Sequence, residues 1–313
     1  MLRAAAEPTR LRILALLARE ELAVLELCRV LGQSQPRVSR HLKLLAEAGL
    51  VERFPDGAWV FYRLSSAGPA RALTEQALAL ISTDDATLAL DAERLAGVGE
   101  ERSGQAAAYF AENAERWDEM RVLHTAEAAV EVAILEAAGP GPFERLVDLG
   151  SGTGRMLTLL GDRARRSIGL DQSRQMLNIA RAQAAAAGRA ACELRHGDIL
   201  DTGRADGCAD LVLVHQVLHY LADPAAAAAE AARLVTPGGR LLIIDFAPHD
   251  LEFLRAEHRH RRLGFTDAEI ERWLAAACLT GFEARALPPT APGGLTVKIW
   301  GATRDAARVR LIA

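Results

Sequence analysis

The run Val147-Asp148-Leu149-Gly150-Ser151-Gly152-Thr153-Gly154 sets three glycines at alternate positions directly behind an acidic residue. Glycine accepts the left-handed backbone of a tight strand-to-helix turn and lets a ligand approach the main chain closely. Asp171 ends the next apolar stretch, 23 residues beyond Asp148, and Asp198 follows a third. A carboxylate at a second strand end can accept both hydroxyls of a ribose. Together these residues line one crevice at the carboxyl edge of a parallel sheet, where an adenosine-type ligand fits. A nicotinamide dehydrogenase has an overlapping fingerprint, but its glycines run Gly-x-Gly-x-x-Gly. His219 and His249, after the fourth and fifth apolar stretches, are the candidate bases for an acceptor with a proton to lose. Structural or solvated histidines are the alternative.

A different chemistry sits near the amino terminus. In the segment Ser34 to Glu47, Val38, Leu42 and Leu45 fall at i, i+4 and i+7 and form one apolar face. Arg40 and Lys43 point away from it, with Arg37 and Ser39 on its flanks. No acidic residue occurs from Leu27 to Ala46, so the helix offers a positive surface suited to phosphates. A solvated helix of a small bundle is the plainer alternative.

The elements that must carry these residues fall into two grammars. Helices are expected from Pro8, over Glu21 to Leu31 (stopped by Gly32), and behind Ser34, with Gly49 past the third. Leu50 to Phe54 and Ala58 to Leu64 alternate as strands around Pro55-Asp56-Gly57. Helical character resumes over Pro69 to Leu95, and Gly97 to Gly104 reads as a linker. Helices over Gln105 to Arg121 and Ala126 to Ala138 come next. Strands follow at Arg145 to Leu149, Ser167 to Leu170, Ala191 to Arg195, Ala209 to Val214, Arg240 to Phe246, Phe282 to Leu287 and Leu295 to Thr303. Alternation of these strands with alanine-rich helices is the pattern of a doubly wound α/β sheet. Two domains are therefore expected, residues 1–96 and 105–313.

Composition narrows the class. The 313 residues are 50 % hydrophobic and 25 % charged, which excludes a mostly disordered, collagen-like or heptad-repeat chain. The net charge of −4 divides into +3 for residues 1–64 and −7 for the rest. The uncharged run Leu211 to Ala222 falls well short of the ~20 residues of a membrane span. Arg3, Glu7, Pro8, Arg10 and Arg12 interrupt any signal-peptide core, so a cytoplasmic protein without membrane contact is expected. Cys28, Cys192, Cys208 and Cys278 form no close pair, which disfavours disulfides and thiolate metal sites. His258 and His260, in an arginine-rich stretch, are expected on a solvated or substrate-facing helix, not in a metal site.

Gln33-Ser34-Gln35-Pro36-Arg37-Val38-Ser39-Arg40-His41-Leu42-Lys43-Leu44-Leu45, followed by the hairpin, resembles the ArsR-type winged helix-turn-helix repressors over about residues 4–81. The resemblance implies a small α+β domain that dimerises and binds a double-stranded DNA operator. Gln35, Arg37, Ser39, Arg40 and Lys43 would meet bases or phosphates, and the hairpin from Arg53 to Arg63 would be the wing. The family's metal sensors carry a cysteine pair where this chain has Ala23 and Leu25, so no metal is expected.

The Asp148 to Gly154 loop, with Asp171, Gly197-Asp198-Ile199 and Thr236-Pro237-Gly238-Gly239, resembles class I methyltransferases of the ubiquinone-biosynthesis type over about residues 105–303. That likeness implies S-adenosylmethionine as cofactor. The backbone of Gly150, Gly152 and Gly154 would approach its methionine part and Asp148 its ammonium. Asp171, with Gln172 beside it, would bind the ribose. Asp198 and Ile199 would take the adenine, with Met176 on its edge, and the backbone at His215 and Gln216 would close the methionine end. Tyr109 and Trp117 match the family's lid helix, or pack as ordinary aromatics. The combined expectation is a DNA-binding regulator fused to a methyltransferase acting on a small-molecule acceptor. A regulator that only senses the donor or its product, and an enzyme whose winged helix mainly dimerises, are the alternatives.

Overall fold

The structure, a computed structural model, describes residues 1–56, 59–65, 68–80, 85–112, 127–189, 192–290 and 293–305. The chain divides into two units, residues 1–107 with 181–191, and residues 108–180 with 192–313.

The first unit opens with α1 (Leu2–Ala5) and α2 (Pro8–Leu17), whose first turn is Pro8 and whose amino end is capped by the Glu7 carboxylate. The expected helix from Glu21 begins three residues later. Leu22 and Ala23 instead form a short strand, β1 (Leu22–Ala23), paired with Tyr62 and Phe61, and both are buried. Helix α3 (Val24–Leu31) ends at Gly32, left-handed at φ 64°. Helix α4 (Gln35–Glu47) buries Val38, Leu42 and Leu45 completely. Each such side chain is worth roughly 1.5–3 kcal/mol of burial, which fixes the face that α4 turns outward. Strands β2 (Val51–Asp56) and β3 (Trp59–Leu64) form the antiparallel hairpin, and the three strands order as β1-β3-β2.

Beyond α5 (Gly68–Ala79), the stretch expected to be a linker is not one. Helix α6 (Ala86–Glu112) runs unbroken through Gly97, Gly99 and Gly104. Glycine costs about 1 kcal/mol per helical position, and tertiary contacts offset it here. Leu95 and Val98 are buried in the core of the first unit. Arg12 pairs with the buried Asp91 at 2.6 Å, Arg94 donates to the Val30 carbonyl at 3.1 Å, and Arg29 meets Glu101 at 2.8 Å.

After the last residues of α6, the described part of the second unit continues with α7 (Glu127–Ala138) and builds a seven-stranded sheet. Its strands are β4 (Phe143–Leu149), β5 (Ala164–Asp171), β6 (Cys192–His196), β7 (Ala209–His215), β8 (Val235–Phe246), β9 (Leu279–Leu287) and β10 (Val297–Arg304). The spatial order is β6-β5-β4-β7-β8-β10-β9, parallel from β6 to β8, with β10 antiparallel to both its neighbours. All seven strands overlap their sequence-based positions, although β8 begins five residues before the expected Arg240. Helices α8 (Arg155–Leu160), α9 (Arg174–Ala186), α10 (Pro224–Leu234), α11 (Phe253–His258) and α12 (Asp267–Ala276) complete the fold. Ala227, Ala228, Ala231 and Ala232 of α10 pack on the sheet with Val212, Val214, Leu241 and Ile243. The chain leaves β4 toward β5 and β6, then returns past β4 to β7. That reversal falls between β4 and β7, whose carboxyl ends are the place where open α/β sheets bind ligands.

Candidate functional site

The loop after β4 needs its glycines for three different reasons. Gly150 is left-handed (φ 73°), and a Cβ there would sit 2.3 Å from Cγ2 of Val217. Gly154 (φ 81°) begins α8, and its Cβ would meet that of Ala180 at 3.0 Å. Gly152 (φ 51°) faces open space, so its missing side chain leaves room above the main chain. The amides of Gly150 and Ser151 both donate to the Leu170 carbonyl, at 2.7 and 3.0 Å, tying the loop to β5.

Asp148, at the end of β4, is 1 % exposed, and neither carboxylate oxygen has a hydrogen-bond partner among the described residues. Burial, and then the charge of Asp171, push its pKa from 3.8 up to about 7. A buried carboxylate left in this state calls for a cation. Asp171 accepts from the amides of Gly152 and Ser173, at 2.8 and 2.7 Å. A carboxylate offers about four acceptor positions, so capacity remains for hydroxyl groups. Gln172 donates to Oδ1 of the exposed Asp198 at 3.1 Å, and Leu200 N–H donates to the same oxygen at 2.9 Å. Ile199 is buried, while Met176 on α9 is half-buried, its amide accepted by Ser173 Oγ at 3.3 Å. His215 ends β7, and Gln216 takes a left-handed φ of 53° as its amide donates to Ile244. Trp117 lies outside the described residues, as does the side chain of Tyr109.

His219 is deeply buried, with Nδ1 2.8 Å from Oδ1 of the buried Asp245 on β8. His249 is half-buried, its pKa lowered by burial and by His219, and its Nδ1 accepts from Leu251 N–H at 3.3 Å. Of the two alternatives for the arginine-rich stretch, solvated or substrate-facing, solvent takes only the arginines, because His258 and His260 are buried. Its arginines turn out from α11 and the following bend while its histidines turn in. Sequence reasoning missed Asp245, and it named His260 without its pairing to His219. A lone acid inside Leu241-Leu242-Ile243-Ile244-Asp245-Phe246 was the available signal for the first. No group of three metal-ligating side chains able to hold an ion occurs among the described residues.

In the first unit, Gln35, Arg37, Arg40, Lys43 and Arg53 are exposed and Ser39 is half-buried. Arg37 and Arg40 have no ion-pair partner among the described residues, whereas Lys43 lies 3.8 Å from Glu47. The uncancelled charge of α4 is thus its two arginines.

Residues 7–53 match the family described as bacterial regulatory protein, arsR family, and residues 147–243 match the methyltransferase domain family. The arsenic resistance transcriptional regulator ArsR1 of Pseudomonas putida is 42 % identical over 96 residues, which is 30 % of this chain and 74 % of that protein. An uncharacterised 37.1 kDa protein of a Streptomyces fradiae transposon is 38 % identical over 152 residues, 44 % of this chain. The chain spans only 43 % of that relative's length. A geranyl diphosphate methyltransferase solved in complex with S-adenosylmethionine shares the fold of the second unit, with a TM-score of 0.50 at 19 % identity, covering 57 % of this chain and 85 % of that one. No described helix is long and apolar enough to cross a membrane. The chain belongs to the bacterial arsR regulatory-protein family and carries, fused behind that winged-helix module, a Rossmann-like methyltransferase domain.

Proposed function

We propose that this fusion is an S-adenosylmethionine-dependent methyltransferase of a small molecule, tethered to an operator-binding winged helix and working as a homodimer. The observation that carries the donor assignment is Asp148, a buried carboxylate with no partner beside a glycine loop that is open at Gly152. An α-ammonium is a cation that this carboxylate would accept. Asp171 would hold the ribose hydroxyls through its remaining lone pairs, with Gln172 at its side. The Oδ2 of Asp198 would accept from the adenine amino group while Ile199 and Met176 pack on the ring. The main chain at Gly150, Gly152, Gly154 and His215 would enclose the methionine end.

Bound there, the donor supplies a methyl group already activated on a sulfonium. The protein's task is then to align an acceptor in line with that methyl and to exclude water. In the first module, taken as residues 1–96, Arg37 and Arg40 would approach bases or phosphates, supported by Gln35, Ser39 and Lys43. Arg53 would touch the backbone from the wing. A two-fold dimer sets two such helices about one turn of DNA apart. Residues 105–313 would form the catalytic module.

Calorimetric titration with S-adenosylmethionine tests the donor assignment. Asp171→Ala is expected to weaken binding by about 1.5–3 kcal/mol, since two hydroxyls lose a charged acceptor. Wild-type affinity in that variant would overturn the assignment.

A further inference from the structure

Behind the donor loop lies a cluster of buried rings that donor binding does not use. The side chain of His219 is 1 % exposed, and the carboxylate facing its Nδ1 at 2.8 Å, that of Asp245, is fully buried. Asp245 also accepts the backbone N–H of His219 at 3.3 Å and of Phe246 at 2.8 Å. A carboxylate in such surroundings accepts, so His219 carries its ring proton on Nδ1 and keeps a lone pair on Nε2. That Nε2 is buried and has no partner among the described residues.

The ring of His260 stands 4.2 Å from that of His219 and is 3 % exposed, and neither of its nitrogens has a described partner. Burial and the neighbouring His219 push the His260 pKa down to about 3, so it stays neutral. His249 has the opposite tautomer. Its Nδ1 accepts from Leu251, which puts the proton of the neutral ring on Nε2 and makes that atom a donor, not a base. Polar atoms this deeply buried are normally paired, with protein, water or ligand. The cluster adjoins the donor loop through Val217, two residues before His219, whose methyl groups fill the space beside Gly150. Tyr220 and Phe246 flank His219 with ring centroids at 4.0 and 5.1 Å.

We propose that His219, oriented by Asp245 and walled by His260, forms the acceptor side of the methyl-transfer site and takes the proton of an acidic hydroxyl on the acceptor. This rests on the donor reading above. The hydroxyl oxygen bonds to the methyl carbon as that carbon's bond to sulfur breaks, and the electron pair of the broken bond stays on sulfur. The hydroxyl proton passes to Nε2 of His219, and the resulting imidazolium is held by Asp245 until water removes the proton. His260 offers a neutral N–H to the acceptor oxygen. A thiol has less need of such a base, because the few per cent present as thiolate near neutral pH is already strongly nucleophilic. The titratable groups around His219 are Asp245 on β8, His249 behind that strand, Tyr220 next to it in the chain, and His258 and His260 from α11 and the residues that follow.

Two measurements on the full chain test this. Nitrogen NMR of histidine-labelled protein without donor reads the tautomer, expected to be Nδ1–H at His219 and to lose that preference in Asp245→Asn. Formation of S-adenosylhomocysteine is then followed with catechol, a flat hydroxylated probe, and with 2-mercaptoethanol, from about pH 5.5 to about pH 9. Catechol is expected to be methylated with a rate that rises along an acid limb. Asp245→Asn and His219→Gln should lower kcat by about 100-fold or more while donor affinity stays within about twofold. In Asp245→Asn the limb should also move to lower pH, because the imidazolium has lost its counter-charge; a merely structural role would leave the limb in place. An Nε2–H tautomer, no product from catechol in a protein that binds the donor, methylation of the thiol alone, or variants that turn over like wild type would each overturn the proposal. Failure of the wild type to bind the donor would instead remove the reading beneath it.

Discussion

In the methyltransferase unit the group that most constrains a ligand, Asp148, is buried without a partner, whereas in the winged-helix unit Arg37, Arg40 and Arg53 stand in solvent above a sealed core. On the proposed reading, the two surfaces would therefore select their ligands by different physics. A buried carboxylate rewards one small cation, is little screened by salt, and answers to pH because burial has moved its pKa. Exposed guanidinium groups add their effects over a row of phosphates and are strongly screened by salt. Salt and pH should thus separate the two functions within one polypeptide.

The largest effect is expected on the exposed side. Arg37→Ala with Arg40→Ala should cost about 2–6 kcal/mol of operator binding and lower the slope of log affinity against log salt by up to about 2. Donor affinity should not change, and gel shifts at several salt concentrations would read the DNA term. Undiminished, salt-insensitive DNA binding would remove α4 as the recognition element. On the buried side, Gly150→Ala drives a Cβ to 2.3 Å from Val217 at a left-handed backbone position. Overpacking and backbone strain together should destabilise the second unit by about 2–5 kcal/mol, seen as a lower urea midpoint. Gly152→Ala, with nothing within 4 Å, should cost only the backbone strain yet still block the donor. Equal destabilisation by the two substitutions would mean that the loop is not built around an open cradle.

Asp148→Asn sharpens the contrast further, because there stability and function pull apart. Its pKa of about 7 in the folded protein, against 3.8 ordinarily, means that the folded state binds more protons than the unfolded state between those values. Stability from this group is present below about pH 4 and is lost as pH rises through about 7. The asparagine variant should therefore be more stable than the free wild type at pH 8, by up to about 4 kcal/mol, and bind the donor less well. Thermal melts at pH 5 and pH 8 would show the crossover, and a variant less stable than wild type at both values would contradict it.

What the sequence revealed follows from where each feature gets its specification. The glycine loop and the acids at 148, 171 and 198 are local signals, since a left-handed turn and a strand end are set by neighbouring residues. The apolar stripe of α4 is equally local. The pairing of His219 with Asp245 was hidden because the two residues lie on separate elements 26 positions apart, brought together only by the packing of β7 beside β8. His260 sat in an arginine-rich stretch whose composition left solvent and substrate as alternatives. Residues 97–104 misled for a related reason. Their glycines speak for a loop, but Asp91, Leu95 and Val98 dock α6 onto the first unit, and such docking is invisible to composition. Leu22 and Ala23 joined a strand because β3 offered them an edge.

The most direct test of the account is the affinity of S-adenosylmethionine measured by calorimetry across pH, in the wild type and in Asp148→Asn. Ionised Asp148 is the form that accepts the ammonium, so wild-type affinity should climb about tenfold per pH unit below about pH 7. It should fall again as the donor's own amine loses its proton near pH 8. In Asp148→Asn the climbing limb should vanish and the falling limb weaken. Affinity that is flat below pH 7 in the wild type, or no heat of binding at any pH, would contradict the claim that this buried carboxylate makes the crevice a donor site.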